Sequence, residues 1–469
     1  MPLAVVLILL VVGSLLFHFL SPWTFTPLAS NWAPIDNTVD ITLVVTGFVF
    51  VAVNLFMAFA IIRYRHRKNR RSVYDPENKK LEWILTAFTA LGVAAMLAPG
   101  LFVWARFVDV PPDTVNIEAI GQQWNWSYRL PGKDGKFGRT DTRLISSGNP
   151  FGLAPDDPAG QDDVLISSAE AHLPVDRPVR FWLRSKDVLH NFTVPQFRVK
   201  MDLVPGMETH MWFTPTRTGR FEVLCEELCG IAHFSMRGAV VVEKEAAFEN
   251  WAAGWPTFAE VQADTGGNAA AGAAQYAVCT ACHGPQGQGM QALNAPKLAG
   301  QAGWYLEGQL ENFKAGLRGA HEKDVFGRQM APMARSLATA DAVANVVAHI
   351  ATLPDDPAPQ TVEGNVKAGA KRYVVCGYCH GAQGEGTEYM NAPRLAGMSD
   401  WYLVRQLENF KEGIRGTHPQ DYHGKQMRFM AETLQDEQAI NDIVAYIDTL
   451  PGAGGPKGEA VAATNAAGE

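Results

Sequence analysis

Residues 225–236 read Cys225-Glu226-Glu227-Leu228-Cys229-Gly230-Ile231-Ala232-His233-Phe234-Ser235-Met236. Two thiols, an imidazole and a thioether in so short a segment form a soft ligand set, which favours copper over hard cations. The alternatives are a disulfide, or a zinc site that uses the two cysteines and the histidine. Met236 speaks against zinc, because zinc sites are built from Cys, His and carboxylate ligands. The segment therefore predicts a copper site.

Short strand patterns lie on both sides of this segment. Alternating or β-branched runs occupy residues 114–120, 180–184, 208–213, 219–224 and 238–242, with turn signals between them. Such a set of short strands predicts a small β-sandwich. The stretch 131–163 is rich in Gly, Asp and Pro and predicts an exposed loop.

Three uncharged apolar runs, 3–20, 41–62 and 83–105, lie closer to the N-terminus. As helices, the second and third would be about 33–35 Å long, enough to cross a hydrocarbon core of about 30 Å. The loop between them is rich in Lys and Arg and should face the cytoplasm, which places all residues after 107 on the opposite side. The first run has no basic residue before it and is long for a signal peptide. We therefore favour a retained anchor helix, with a cleaved signal sequence as the alternative.

A Cys-x-x-Cys-His motif occurs twice, 97 residues apart, as Cys279, Cys282 and His283 and as Cys376, Cys379 and His380. Other short motifs keep the same spacing without a gap: Asn-Ala-Pro from residues 294 and 391, and Leu-Glu-Asn-Phe from residues 310 and 407. This pattern predicts a duplicated domain of about 90 residues.

Each Cys-x-x-Cys-His motif has the spacing that attaches a haem c, with its histidine as the proximal iron ligand. A redox dithiol or half of a zinc site is the alternative. For the sixth ligand, Met330 and Met427 compete with Met333 and Met430, and any of them could instead be a core side chain. We favour Met330 and Met427, which precede by seven residues the leucine that opens the last helix. The repeat resembles the two-haem class of bacterial cytochromes c.

Composition excludes several classes of protein. The chain has 469 residues, a net charge of −8 and only 19% charged side chains, so it is neither a nucleic-acid-coating protein nor a disordered one. Six cysteines in a chain of this length cannot form a disulfide scaffold.

The copper segment, together with 187–192 and the aromatic run 124–128, resembles the dinuclear CuA centre of cytochrome c oxidase subunit II, and the resemblance spans residues 40–245. It implies a cupredoxin fold, bridging thiolates from two cysteines, two terminal imidazoles, a weak thioether ligand and a carbonyl ligand. The implied ligands are Cys225, Cys229, His190, His233, Met236 and Glu227.

The same resemblance implies further roles. The Glu227 side chain would help to hold a magnesium ion at the boundary with the catalytic subunit. Glu82 matches a carboxylate at the mouth of a proton channel, with an ordinary interfacial acid as the alternative. Trp124 matches the aromatic residue through which electrons enter. Asn125 and Lys186 depart from the family pattern, which suggests that a donor protein docks on the cytochrome repeats instead.

We therefore expect a multidomain membrane protein: subunit II of a haem–copper oxidase with two fused cytochrome c domains. The electron donor would be a c-type cytochrome or a bc1-type quinol-oxidising complex. Electrons would pass through two haems c and CuA to subunit I, which reduces O2 and pumps protons. Subunit III would be a further partner. The chain would lie in a bacterial inner membrane with its cofactor domains outside the cytoplasm. The alternatives are a CuA-type nitric oxide reductase subunit and a copper chaperone or thiol carrier.

The sequence divides into eight predicted segments. They are an apolar anchor or signal (1–30), a transmembrane hairpin (31–107), the cupredoxin domain (108–245), a linker (246–266), the first cytochrome c domain (267–354), a second linker (355–362), the second cytochrome c domain (363–451) and a flexible tail (452–469).

Overall fold

The computed structural model describes residues 2–21, 25–66, 76–146, 149–263 and 266–451. In these ranges the N-terminal part forms helices α1 (Pro2–Leu20), α2 (Ala33–Arg63) and α3 (Lys79–Val108). All three are long and apolar enough to cross a membrane, and apolar side chains such as Phe48 and Phe88 are exposed on them. The predicted apolar helices are therefore confirmed. Most of the basic loop, at 67–75, and the predicted tail 452–469 lie outside the described residues.

Two five-stranded sheets follow and form a sandwich. The strands are β1 (Val115–Gln122), β2 (Asn125–Leu130), β3 (Val164–Ile166), β4 (Glu170–Pro174), β5 (Val179–Ser185), β6 (His190–Val194), β7 (Val199–Leu203), β8 (Thr209–Phe213), β9 (Gly219–Leu224) and β10 (Arg237–Glu243). The first sheet has the order β3-β2-β1-β5-β8 and the second the order β4-β10-β9-β6-β7. The β1–β5 and β4–β10 pairs are parallel, whereas the other strand pairs are antiparallel.

Aromatic side chains fill the space between the sheets. In β5 buried and half-buried residues alternate, so that Phe181 points inward, as a strand with one face on a core requires. Its ring lies 5.1 Å from that of Phe192, which in turn lies 5.2 Å from Trp126. The predicted β-sandwich is confirmed. Part of the loop predicted to be exposed is not, because Phe151 and Leu153 are buried in a smaller cluster.

A buried ion network joins β1 and β2 to the loop before β3. The guanidinium of Arg129 donates to Glu118 at 2.6 Å and to Asp163 at 2.7 Å, and these side chains are almost completely buried. Burial raises the pKa of Asp163 to about 6, although Arg129 opposes this shift. A buried network of this kind is costly to break from one side, because it leaves an unpaired charge.

Contacts between aromatic residues connect the membrane helices to the sandwich. Trp32, just before α2, is almost completely buried and donates from its indole to the carbonyl of Trp212 at 3.0 Å. Trp212 donates to the carbonyl of Phe107, near the end of α3, at 2.9 Å. Arg198 binds Asp36 of α2 at 2.6 Å. The sandwich is therefore held in one orientation relative to the two long helices.

The segment predicted as a linker, 246–266, carries helix α5 (Phe258–Ala263) and most of α4 (Glu245–Ala252). Both helices pack on the sandwich: Phe258 is buried, and Trp251 stacks on His172 with ring centroids 4.5 Å apart. His172 also hydrogen-bonds the carboxylates of Glu170 and Glu243. Burial alone lowers the pKa of His172, but the two carboxylates outweigh burial and leave it raised.

Each cytochrome repeat is a small helical domain. The first contains α6 (Ala269–Tyr276), α7 (Thr280–His283), α8 (Gly303–Ala315), α9 (Val325–Ser336) and α10 (Ala340–Ile350), and the second contains α11 (Val366–His380), α12 (Asp400–Lys411), α13 (Tyr422–Glu432) and α14 (Glu437–Ile447). The first and last helices of each repeat cross at a glycine. A Cβ on Gly272 or on Gly369 would lie 1.9 Å from a backbone oxygen of the opposite helix. Only glycine allows this close approach.

The two repeats pack against each other through a reciprocal contact. Arg318 of the first repeat donates to Gln309 at 2.9 Å and to Gln406 of the second repeat at 3.2 Å. Arg415 of the second repeat donates to Gln406 and to Gln309, each at 2.7 Å. The same two residue types therefore meet twice, related by the sequence repeat.

Candidate copper and haem sites

The copper segment forms the loop between β9 and β10 and turns its sulfur atoms inward. The sulfurs of Cys225 and Cys229 lie 3.8 Å apart, much farther than a disulfide bond of about 2.05 Å. The Nδ1 atom of His190 lies 3.9 Å from the first sulfur, and the Nδ1 atom of His233 lies 3.4 Å from the second. Each thiol therefore faces one imidazole.

Two further ligand atoms complete the cluster. The sulfur of Met236 lies 3.8 Å from the sulfur of Cys229, and the carbonyl oxygen of Glu227 lies 3.3 Å from the sulfur of Cys225. Two thiols, two imidazoles, a thioether and a carbonyl thus converge, and both sulfurs and Nδ1 of His190 lie within 4.8 Å of one another. This soft donor set fits copper, and all six predicted copper ligands meet in one place.

Hydrogen bonds within the cluster shift the pKa values of its ligands and orient one imidazole. A hydrogen bond from Cys229, assisted by one from His190, lowers the pKa of Cys225, whereas the neighbouring Cys225 thiolate raises that of Cys229. The Nε2 atom of His190 donates to Asp187 at 2.8 Å, which leaves Nδ1 directed at the sulfurs. Burial lowers the pKa of His190, but Asp187 and Cys225 together outweigh burial and leave this pKa raised. A carboxylate behind the imidazole fixes the tautomer that a metal requires.

Trp124 connects the same loop to the end of β1. Its indole donates to the carbonyl of Cys229 at 3.0 Å, and the side-chain amide of Gln123 donates to the same carbonyl at 2.8 Å. Trp124 itself is buried, and its backbone carbonyl accepts a hydrogen bond from Gln426 of the second cytochrome repeat.

Each Cys-x-x-Cys-His motif presents its histidine in the same way. Nδ1 of His283 donates to the carbonyl of Pro296, and Nδ1 of His380 donates to the carbonyl of Pro393, both at 2.8 Å. Burial lowers the pKa of both imidazoles, partly opposed by these carbonyls. Burial thus favours the neutral ring in both repeats, and with Nδ1 bonded to the carbonyl, Nε2 is the nitrogen left to bind a metal.

A cavity of about 1050 Å³ runs through both repeats. It is lined by both motifs and by all four candidate methionines, and it reaches Trp124 and Ala232 of the sandwich. Its volume lies just above the usual range for one ligand pocket, about 300–1,000 Å³. Thiols, a neutral histidine and methionines around one large apolar space fit a covalently held haem in each repeat.

The methionines differ in their surroundings. Met330 packs against the cluster around Phe313, whereas Met333 is exposed to solvent. In the second repeat Met430 packs against the core of the sandwich. Because all four methionines line the cavity, these contacts do not choose between the two pairs, and Met330 and Met427 stay the predicted sixth ligands.

Two parts of the chain, the sandwich and the pair of repeats, match known protein families. Residues 115–244 match the family model of the cytochrome c oxidase subunit II periplasmic domain, and residues 269–354 and 366–451 each match the cytochrome c model. The alternative cytochrome c oxidase subunit 2 of Bradyrhizobium diazoefficiens is 56% identical over 259 residues, which cover 55% of this chain and 94% of that protein. The chain belongs to the cytochrome c oxidase subunit II family.

Two other known proteins are similar in sequence to parts of this chain. The cytochrome c oxidase subunit 2 of Cereibacter sphaeroides is 30% identical over 48% of this chain and 78% of its own. The crystal structure of cytochrome c4 from Pseudomonas stutzeri matches at 29% identity, covering 39% of this chain and 99% of that one, with a TM-score of 0.33. The predicted subunit of an oxidoreductase, fused to cytochrome c domains, is confirmed. Membership of this family, with the cytochrome c matches, implies copper and haem c.

Other residues of this subunit II have roles that the sequence did not reveal. Asp187 was visible beside His190, but nothing in the sequence indicated that it supports the imidazole. The carbonyls of Pro296 and Pro393 belong to the repeated Asn-Ala-Pro motif, which was therefore the signal for them. Gln123 carried no signal at all.

Proposed function

We propose that this chain is the electron-transfer subunit of a terminal oxidase. It takes electrons from a c-type cytochrome or a bc1-type complex, carries them through two covalent haems c and a dinuclear CuA centre, and delivers them to subunit I, where O2 is reduced with proton pumping. When bound, these groups supply reversible one-electron redox chemistry. The protein supplies the ligands, holds them in place and excludes water.

The observation that carries this proposal is the copper cluster itself. The two sulfurs lie 3.8 Å apart and each faces its own imidazole, with the thioether beside one thiol and the carbonyl beside the other, which is a donor set large enough for two copper ions. Cys225, Cys229, His190, His233, Met236 and the carbonyl of Glu227 would hold the copper pair. Both cysteines and His190 are buried, so little water would have to reorient when the copper pair gains an electron.

The two repeats would hold the haems through the ligands already predicted. Cys279 and Cys282 would attach the first haem, and Cys376 and Cys379 the second. His283 and His380 would bind iron from one side, held in the neutral form by burial, with the prolyl carbonyls fixing their orientation. Met330 and Met427 would supply the sixth iron ligands.

The proposal is tested by electron paramagnetic resonance of the purified, oxidised full-length chain loaded with copper. We expect hyperfine structure from one unpaired electron shared by two equivalent copper nuclei. Cys229→Ser should abolish this pattern. Glu226→Gln is the matched control in the same loop, because that side chain points outward to Lys200, and it should leave the spectrum unchanged. A single-copper spectrum in the wild-type chain would refute the proposal and favour a copper carrier.

Acceptor and partners follow from the same proposal. Comparing O2 with NO consumption by the purified complex would distinguish the oxidase from a CuA-type nitric oxide reductase. We place the chain in a bacterial inner membrane next to subunits I and III, supported by its three apolar helices and by its match to a periplasmic domain.

Two acidic residues would act at the boundary with subunit I. Glu227 would bind magnesium through its side chain while its carbonyl faces the copper cluster. Glu82 would lie at the mouth of a proton channel. Its exposed position in the first turn of α3 supports this role.

The domain boundaries are part of the proposal. The cupredoxin domain would span 108–245 and the cytochrome domains 267–354 and 363–451. The ends of α3, β10, α10 and α14 near these limits support the division.

A further inference from the structure

The second cytochrome repeat lies directly on the copper domain. Helix α13 contacts the loop that carries the copper ligands, and the ring of Phe429 lies 5.8 Å from that of Phe234 in this loop. Cys379 and Met430 of the same repeat pack against the hydrophobic cluster that joins the sandwich core to Tyr422, and the cavity of the repeats reaches Trp124 and Ala232 of the sandwich. The face of this repeat that surrounds its haem cavity is therefore the face that meets the copper domain.

Polar contacts hold this face in place. The phenol of Tyr422 donates to Glu170 at 3.0 Å and accepts from Arg220, which also binds Glu170 at 2.8 Å. Glu170 lies on β4 and Arg220 on β9, and both strands belong to the sheet that carries the copper loop. Tyr422 is only 9% exposed, which is typical of a fixed interface and not of a loose encounter between two domains.

A short hydrogen-bonded route leads from this interface to the copper cluster. The side-chain amide of Gln426 donates to the carbonyl of Trp124. The indole of Trp124 donates in turn to the carbonyl of Cys229 at 3.0 Å. One glutamine and one tryptophan thus connect the second repeat to a candidate copper ligand.

The first repeat lacks the side chains that make this contact. The positions that correspond to Tyr422 and Phe429 are Val325 and Pro332, and only the glutamine is kept, as Gln329. Val325 is 53% exposed, in contrast to its buried counterpart. The matching face of the first repeat is therefore open to solvent, and its sequence is not adapted to the copper domain.

We infer that the second repeat is the immediate electron donor to the copper site, docked there by Tyr422, Gln426 and Phe429, and that the first repeat receives electrons from the external donor. This inference rests on the proposed function and adds the order of the two repeats. In the last transfer the second repeat loses one electron and the copper site gains one, while no bond is formed or broken and no proton moves. Gln426 is a positioning residue, since it acts through Trp124.

The test uses the full-length chain with both haems and copper, in detergent. The variants are Gln426→Ala, Phe429→Ala and Tyr422→Val, the last of which introduces the first repeat's residue. The matched control is Gln329→Ala. Two quantities are measured: hydrogen exchange of amides in α13 and in the loop 225–236, and the rate of copper reduction after the haems are reduced rapidly by a photo-excited small-molecule reductant.

We expect at least tenfold faster exchange at the interface and at least tenfold slower copper reduction in the three variants, with two haems per chain retained and wild-type behaviour in the control. A wild-type rate of copper reduction in a variant whose interface exchanges faster would overturn the inference, as would equal slowing by Gln329→Ala. If copper in the wild-type chain is not reduced after the haems at all, the proposed function fails, which is a different outcome.

Discussion

Replacing Asp187 by asparagine isolates what one carboxylate contributes to copper binding. Its Oδ1 accepts from Nε2 of His190 at 2.8 Å and from the backbone of Val188 at 2.7 Å, and its Oδ2 accepts from the backbone of Gln123 at 2.6 Å. Asparagine has nearly the same shape and keeps one acceptor oxygen, so the loop should stay folded. The imidazole, however, loses its charged partner, and because it is buried no water readily takes that place.

The expected loss follows from this geometry. A hydrogen bond to a charged group contributes about 1.5–3 kcal/mol, and each 1.4 kcal/mol is about tenfold in an equilibrium constant. Outer hydrogen bonds to metal ligands are worth about 10–100-fold in metal affinity. We therefore expect the copper dissociation constant of Asp187→Asn to rise about 10–100-fold.

Copper affinity is measured by titrating the purified apo-chain against a competing chelator at fixed pH. Asp157→Asn is the control. That carboxylate also accepts hydrogen bonds from two backbone amides, but it lies in the loop before β3. An affinity within threefold of wild type for Asp187→Asn would refute the reasoning. Equal weakening in the control would show that the effect is a general one of lost loop structure.

Three more predictions concern stability. Gly369→Ala should push apart the crossing helices of the second repeat and lower the free energy of unfolding by about 1–3 kcal/mol. The haem content should then fall from two towards one per chain. Gly272→Ala should have the same effect on the first repeat, and an unchanged haem content would contradict this. Because the pKa of His172 is raised, its protonation stabilises the fold fully below about pH 6.5 and the stabilisation is lost as the pH rises through the raised pKa. Urea unfolding between pH 5.5 and 8.5 should therefore show a steeper fall in stability for wild type than for His172→Gln, and parallel curves would contradict it. Arg129→Met should cost about 3–5 kcal/mol in the same assay, and a loss under 1 kcal/mol would count against the buried network.

The local part of the copper site could be predicted because its chemistry lies in one loop. Five of its six candidate ligands fall within residues 225–236. The spacing of Cys225, Cys229, His233 and Met236 alone indicated a metal cluster, and the family resemblance added Glu227 and His190. The haem motifs are local in the same sense, and the gapless repeat made the duplication clear. In both cases the residues that cooperate are neighbours in the chain.

The strands beside the site were harder to predict. β6, which begins at His190, is buried along its whole length. It therefore lacks the alternation of apolar and polar residues that indicates a strand with one solvent-exposed face. β1, β5, β8, β9 and β10 were found, because their sequences alternate or are rich in β-branched residues.

Contacts between domains left no trace in the sequence. Tyr422 and Glu170 are 252 residues apart, and no periodicity or motif relates such positions. The packing of α4 and α5 onto the sandwich was missed for a similar reason, since an Ala- and Gly-rich segment is typical of linkers. Only the folded arrangement brings these groups together.

The reciprocal arginine–glutamine contact between the repeats has the form of an isologous interface, in which the same two surface patches recognise each other in both directions. A single copy of this domain would therefore be able to pair with itself. Joining two copies in one chain gives each an effective concentration of about millimolar relative to the other. The pair can then stay assembled at any dilution of the whole protein, even when the contact alone is too weak to hold two separate molecules together.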